Sequence, residues 1–226
     1  MKPVPIEKVL DGLAEEVEQW EVPVVEFIKI QNDDPYRILV ATILSARTRD
    51  ETTAQVFKRL FTAAPTMHAL EKLSIKEIEQ LIFPVGFFRQ KAVYLKQLPV
   101  ALNENFHGEI PPEIDDLCTL PGVGRKTANL VTNLAFNKPG ICVDVHVHRI
   151  MNRLGYIRTS TPLETEMMLR KKLPKTYWST VNRILVAFGQ HLCKPIYPHC
   201  DVCPVYKYCN RVSTIPRKLA GKKNEN

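Results

Sequence analysis

Residues 36–46, YRILVATILSA, are apolar on nearly every side. A helix without a polar face cannot lie on a surface, so neighbours must surround it. This one stretch therefore asks for a shell of further helices, and the chain supplies candidates. Residues 5–19 place Val9, Leu10, Leu13 and Val17 on one helical face. Ser74-Ile-Lys-Glu77 is a capping box that starts a helix, and Thr161-Pro-Leu-Glu164 is another, with Pro162 at the favoured first position. Residues 176–192, TYWSTVNRILVAFGQHL, read as one long helix. VDVHVH at 143–148 is the one alternating stretch, and neither a repeat nor a low-complexity linker appears. The expected fold is all-α, with about ten helices joined by short loops. The basic end RKLAGKKNEN is expected to fray in solvent.

The 226 residues suffice for one large domain or two small ones, and 45% hydrophobic content supports a real core. The formal charge of +7 favours a polyanionic partner, nucleic acid first and an anionic membrane second. No apolar run reaches the roughly 20 residues that span a bilayer. The start, MKPVPIEKVLDGLAEE, has no hydrophobic signal region. A cytoplasmic, nucleoid-associated location is the expectation, with no membrane partner.

LPGVGRKTA at 120–128 resembles phosphate loops but fails their spacing. A Walker loop needs an adjacent Gly-Lys pair after a strand, whereas Arg125 separates Gly124 from Lys126. A dinucleotide fingerprint needs a third glycine where Thr127 stands. What remains is helix, tight hairpin, helix. Gly122 and Gly124 permit positive φ and close approach of another backbone. RKTANLVTNLAF then opens a helix whose first-turn N–H groups, with those of Gly122, Val123, Gly124 and Arg125, suit a DNA phosphate. A glycine-rich turn between two packed helices is the plainer reading. Lys126 sits in the first turn. The dipole, neighbouring Arg125 and any partial burial disfavour an ammonium there, and a free amine is a nucleophile able to form a Schiff base.

In ICVDVHVHRIMNRLG, Asp144 precedes a helical pattern and fits an N-cap. It also fits a carboxylate that stabilises a cationic sugar and helps deprotonate Lys126. Asp144, His146 and His148 could chelate only on a strand. Residues two apart on a helix diverge, which leaves the histidines as packing or phosphate contacts. Farther on, Cys193-x6-Cys200-x2-Cys203-x5-Cys209 packs four thiols into 17 residues, while Cys118 and Cys142 stand alone. One compact run with a single C-x2-C suits a [4Fe–4S] cluster, with zinc as the alternative.

Together, LPGVGRKTAN, VDVHVHR and the cysteine run closely resemble the endonuclease III family, DNA glycosylase/lyases of the helix-hairpin-helix superfamily. The resemblance covers roughly residues 5–210. It implies a six-helix barrel at 28–138, with the helix-hairpin-helix at about 113–136. It also implies a discontinuous [4Fe–4S] domain made of 1–27 and 139–226. Lys126 and Asp144 are then the catalytic residues, and Cys193, Cys200, Cys203 and Cys209 the cluster ligands. The partner is damaged double-stranded DNA bound by a monomer, with the base flipped out of the stack. The implied reaction is removal of an oxidised or damaged pyrimidine through a Lys126 Schiff base, then cleavage 3′ to the abasic site. A monofunctional or mismatch-specific glycosylase and a non-catalytic DNA-binding iron–sulfur protein are the alternatives. The family's gap-filling Gln position holds Arg47 in LSARTRD, and its second wedge falls at Phe87 in VGFFRQKA. Phe87 fits a base wedge or a core residue equally well. His146, Arg149 and Lys194 are further DNA-contact candidates. Lys194 is the only firm charge in KPIYPH, with Lys207 and Arg211 able to compensate.

Overall fold

The computed structural model describes residues 2–18 and 34–214, so the terminal RKLAGKKNEN and the proposed barrel boundary at residue 28 lie outside the described residues. Among the described residues every regular element is a helix. The chain divides into two compact units, 22–140 and 1–21 with 141–226.

The 22–140 unit is built on α2 (Pro35–Ser45), α3 (Asp50–Ala63), α4 (Met67–Lys72), α5 (Ile75–Ile82), α6 (Phe88–Phe106), α7 (Ile114–Leu117) and α8 (Arg125–Phe136). Ile38, Leu39, Val40, Ala41 and Leu44 on α2 are fully buried, as its lack of a polar face requires. Asp34 caps α2 by accepting from the Tyr36 N–H, and Pro35 occupies its first turn. α8 and α3 pack on α2, while α4 and α5 pack on α6. The Ser74 box is complete: its hydroxyl accepts from Glu77 N–H, and Glu77 accepts from Ser74 N–H at 2.7 Å.

Cations from neighbouring helices satisfy three helix C-termini, whose last carbonyls lack partners within the helix. Lys96 Nζ donates to the Glu71 and Leu73 carbonyls at the end of α4. Arg59 on α3 donates to the Leu81 and Phe83 carbonyls at the end of α5. Lys91 does the same at the end of α2.

The second unit holds α1 (Ile6–Val17), α9 (Val145–Leu154), α10 (Pro162–Lys172) and α11 (Val181–His191), followed by short 3-10 turns at Cys200–Val202 and Tyr206–Tyr208. Val9, Leu10, Leu13 and Val17 of α1 face a core that includes Val147, Ile150, Ile184 and Phe188. Two boundaries differ from expectation. The stretch 176–192 is not one helix: a 3-10 turn at Lys175–Tyr177 precedes α11. Trp178 is buried there and donates its indole N–H to the Leu173 carbonyl, which turns the chain before α11 begins. At Thr161 the cap is half a box. Its hydroxyl accepts from Glu164 N–H, but the Glu164 carboxylate accepts from Ser160 N–H instead.

Candidate functional site

The loop 120–124 is a tight hairpin from α7 into α8. Gly122 has φ of 76°, and a Cβ there would stand 2.6 Å from the Tyr94 ring. Both the backbone and the space require glycine at 122. Gly124 differs from expectation: its φ is −92°, and an added Cβ would meet nothing within 4 Å. It serves as the N-cap residue of α8, and no side chain caps this helix. The positive end of the α8 dipole lies at this turn, where it favours an anion. Val123 is buried, and its N–H donates to the Leu120 carbonyl at 3.1 Å, which closes the turn. Arg125 forms an ion pair with Asp115 at 3.0 Å. Lys126 follows on the first turn of α8, where it is exposed, so burial adds nothing to the effect of the dipole and of Arg125.

Arg47 and Phe87 come together in the same unit. The Arg47 guanidinium carbon lies 5.3 Å from the Phe87 ring centroid. Both residues have left-handed backbone, φ 54° and 58°. Such φ values are uncommon outside glycine and asparagine and cost on the order of 1 kcal/mol each. Phe87 is 63% exposed, which removes the core alternative for it. Phe83, in the same loop and 56% exposed, stacks edge-on against Phe88. The two loops interlock: Gly86 N–H donates to Thr48 Oγ1 at 3.0 Å, and a Cβ on Gly86 would stand 2.3 Å from the Arg47 carbonyl oxygen.

Behind this pair lies a residue that the sequence reading missed. Lys91 is 5% exposed, and its Nζ donates to the Leu44 carbonyl (2.8 Å), the Ala46 carbonyl (2.6 Å) and Thr48 Oγ1 (3.2 Å). Three acceptors match three ammonium protons, and all are neutral. Burial alone pulls its pKa down to about 8. A signal existed, because Lys91 stands one turn before Leu95 on the apolar face of α6.

In the second unit, Asp144 is the N-cap of α9, with Oδ1 accepting from His146 and Val147 N–H, each at 2.9 Å. The histidines are packing residues. His148 Nδ1 lies 2.7 Å from Thr165 Oγ1, and His146 Nδ1 leaves no room for a Cβ on Gly189. Arg149 was expected at the DNA but is turned inward. Its Nη2 donates to the Cys193 carbonyl at 2.8 Å and meets His146 Nδ1 at 3.3 Å. Burial lowers its pKa and leaves Nε without a partner. The extra carbonyls at the start of the cysteine loop explain this turn: they offer a half-buried guanidinium more acceptors than solvent does. Lys194 is exposed.

Cys193, Cys200, Cys203 and Cys209 line one small pocket, floored by Ile150, Leu154 and Phe188. Burial pushes the thiols of Cys200, Cys203 and Cys209 up, Cys203 to about 11, and neighbouring cysteines of the set add to each shift. Two N–H donors already point at sulfur: Arg153 Nη1 at Cys193 Sγ and Arg211 N at Cys209 Sγ, both at 3.3 Å. Buried thiols that resist ionisation in water but face N–H donors suit thiolates neutralised by a metal centre. Among the described residues no three His, Cys, Asp or Glu side chains converge as ligands of a single ion. All four cysteines line the same pocket, and their residue type and number fit an iron–sulfur group or zinc. Cys142 is buried and Cys118 half-buried, away from this set in sequence.

Among the described residues, no helix is long and apolar enough to cross a membrane. Residues 40–175 match a family model described as the HhH-GPD superfamily base excision DNA repair protein. The chain is 44% identical to endonuclease III of Thermotoga maritima over 176 residues, which is 78% of this chain and 83% of that one. It is 40% identical to the chloroplastic endonuclease III homolog 1 of Arabidopsis thaliana over 183 residues, 77% of this chain but 48% of that longer protein. A solved trapped endonuclease III–DNA covalent intermediate, an estranged-adenine complex, superposes with a TM-score of 0.79 at 36% identity, covering 91% of this chain and 94% of that one.

Proposed function

The chain belongs to the HhH-GPD superfamily of base excision DNA repair proteins, and from that premise we propose how its residues divide the work of a DNA glycosylase with associated AP lyase activity. The substrate is duplex DNA carrying an oxidised or otherwise damaged pyrimidine, flipped from the stack. The N-terminal end of α8, entered through the 122–125 hairpin, holds a backbone phosphate. Lys126, on the next position of the same helix turn, attacks C1′ of the damaged nucleotide. The C1′–N bond breaks, and the base departs with the bonding pair and takes up a proton. The sugar ring opens to a Schiff base between Nζ and C1′. Loss of a C2′ proton then expels the 3′ phosphate by β-elimination, and water frees the lysine. The Asp144 carboxylate opposes the positive charge that develops on the sugar.

The observation that carries this reading is an exposed lysine in the first turn of α8, directly after a tight glycine hairpin. Cys193, Cys200, Cys203 and Cys209 would hold a [4Fe–4S] cluster, whose contribution is to fold the loop 193–211 onto the α9–α11 core. Arg47 and Phe87 enter the gap left by the flipped base. The guanidinium fork meets the edge of the orphaned base, and the ring stacks beside it.

Borohydride reduction of the reaction on damaged or abasic duplex tests the assignment. The wild-type protein is expected to form a covalent adduct and Lys126→Ala none. An equal yield of adduct from Lys126→Ala removes Lys126 from the chemistry. The exposed Arg47 supports a second reading, a glycosylase selective for the opposite base. Base release without strand cleavage, restricted to one opposite base, is its signature.

A further inference from the structure

Lys91 takes no part in the proposed chemistry, yet it is a buried cation whose three contacts all lie at the end of α2 and in the loop that follows it. Its acceptors are the two carbonyls closing α2 and the hydroxyl of Thr48. Thr48 Oγ1 in turn accepts the Gly86 N–H, one residue before Phe87. Lys91 N–H itself donates to the Phe87 carbonyl at 3.0 Å, at the start of α6. A short chain of hydrogen bonds therefore runs from Ala46 through Lys91 and Thr48 to Gly86 and Phe87. It flanks Arg47 and Phe87 on both sides, at the two positions whose backbones are left-handed.

We propose that Lys91 is a positioning residue for duplex recognition: it locks the loop 46–49 to the start of α6, so that Arg47 and Phe87 reach DNA as one stacked unit. A neutral hydrogen-bonded loop would suffice for folding alone. A buried ammonium is costly, and it is kept here where it holds two strained residues in register. Pre-ordering matters because ordering two side chains only upon binding would draw on the binding energy. The inference rests on the reading that Arg47 and Phe87 occupy the gap in the stack.

That dependence selects the experiment. A single-stranded abasic oligonucleotide offers Lys126 its sugar but has neither an orphaned base nor an opposing strand. Lyase rates of the full-length protein are compared on abasic duplex and on the abasic single strand, using Lys91→Met, Thr48→Val and an Arg47→Ala/Phe87→Ala double variant. Lys91→Met is expected to lower the duplex-to-single-strand ratio roughly ten-fold, through KM more than kcat. Thr48→Val, which removes one acceptor and changes little volume, moves the ratio the same way by less. Lys91→Met added to the double variant leaves the ratio where the double variant set it. An unchanged ratio in both Lys91→Met and Thr48→Val overturns the proposal. So does an equal loss on both substrates, which marks Lys91 as a folding residue only. If the double variant keeps the wild-type ratio while Lys126→Ala is inactive, the catalytic reading survives. The DNA role of the pair then falls, and the role of Lys91 with it.

Discussion

Gly86→Ala adds one methyl group at the point where the loops bearing Arg47 and Phe87 touch. Gly86 lacks the positive φ that would penalise alanine by itself, so the effect is one of space. The new Cβ would stand 2.3 Å from the Arg47 carbonyl oxygen, where contacts under 3.0 Å essentially never occur. The neighbour is backbone, not a side-chain tip that can swing away. The loops must part by about 1 Å, which strains the Gly86–Thr48 hydrogen bond and the Lys91 contacts behind it. Overpacking of this kind costs on the order of 1–3 kcal/mol. A 1 Å misplacement of positioning groups costs up to about 100-fold in rate. The assay is single-turnover strand cleavage on lesion duplex beside an abasic single strand, with urea denaturation of the same samples. Cleavage of duplex should fall by one to two orders of magnitude, with single-strand lyase activity close to wild type. Duplex activity within two-fold of wild type, at unchanged stability, would refute the claim that this contact sets the pair.

Asp144 caps α9, and substitution can separate that duty from the electrostatic one proposed for it. Asn caps helices as well as Asp, so Asp144→Asn should keep the denaturation midpoint while losing the charge and roughly 100-fold or more in base excision. Asp144→Ala should lose about 1 kcal/mol of stability as well, and equal midpoints for the two variants would contradict the cap. Lys91 has a lowered folded pKa of about 8 against an ordinary 10.5. Below pH 8 both states hold its proton; between 8 and 10.5 the unfolded state holds more, so stability from this group rises with pH and is lost as pH falls through 8. The stability gap between wild type and Lys91→Met should shift toward wild type by up to about 2 kcal/mol from about pH 7.5 to about 9.5 in urea denaturation. A shift toward Lys91→Met over the same range reverses the assigned burial. Cys203→Ser should abolish visible iron–sulfur absorbance in anaerobically purified protein and loosen the 193–211 loop to proteolysis. Stoichiometric zinc in the colourless wild type would replace the cluster assignment.

Features set by local sequence were readable. The apolar run 36–46, the Ser74 box, the positive φ of Gly122 before α8 and the Asp144 cap each depend on residues within a few positions of one another. The spacing of the four cysteines belongs with them. What escaped depends on partners far along the chain. Lys91 reaches carbonyls about 45 residues away, and Arg149 reaches the cysteine loop 44 residues on. These acceptors are main-chain carbonyls, so no residue pattern announces the partner, although the place of Lys91 on the apolar face of α6 announces its burial. The left-handed backbones of Arg47 and Phe87 are likewise hidden, because the loop anchors impose them and not the residues' own preferences. The break before α11 escaped for the same reason, since the Trp178 ring packs where a regular helix would have continued.

The bonds that hold the 46–49 loop run mainly to main-chain oxygens of Leu44 and Ala46, with Thr48 the one side chain involved. Main-chain oxygens do not change when residue 47 does. The loop is thus a socket whose shape is independent of what it displays. If Arg47 meets the orphaned base as proposed, the side chain at 47 can be exchanged to redirect opposite-base choice while Lys91 keeps the loop in place.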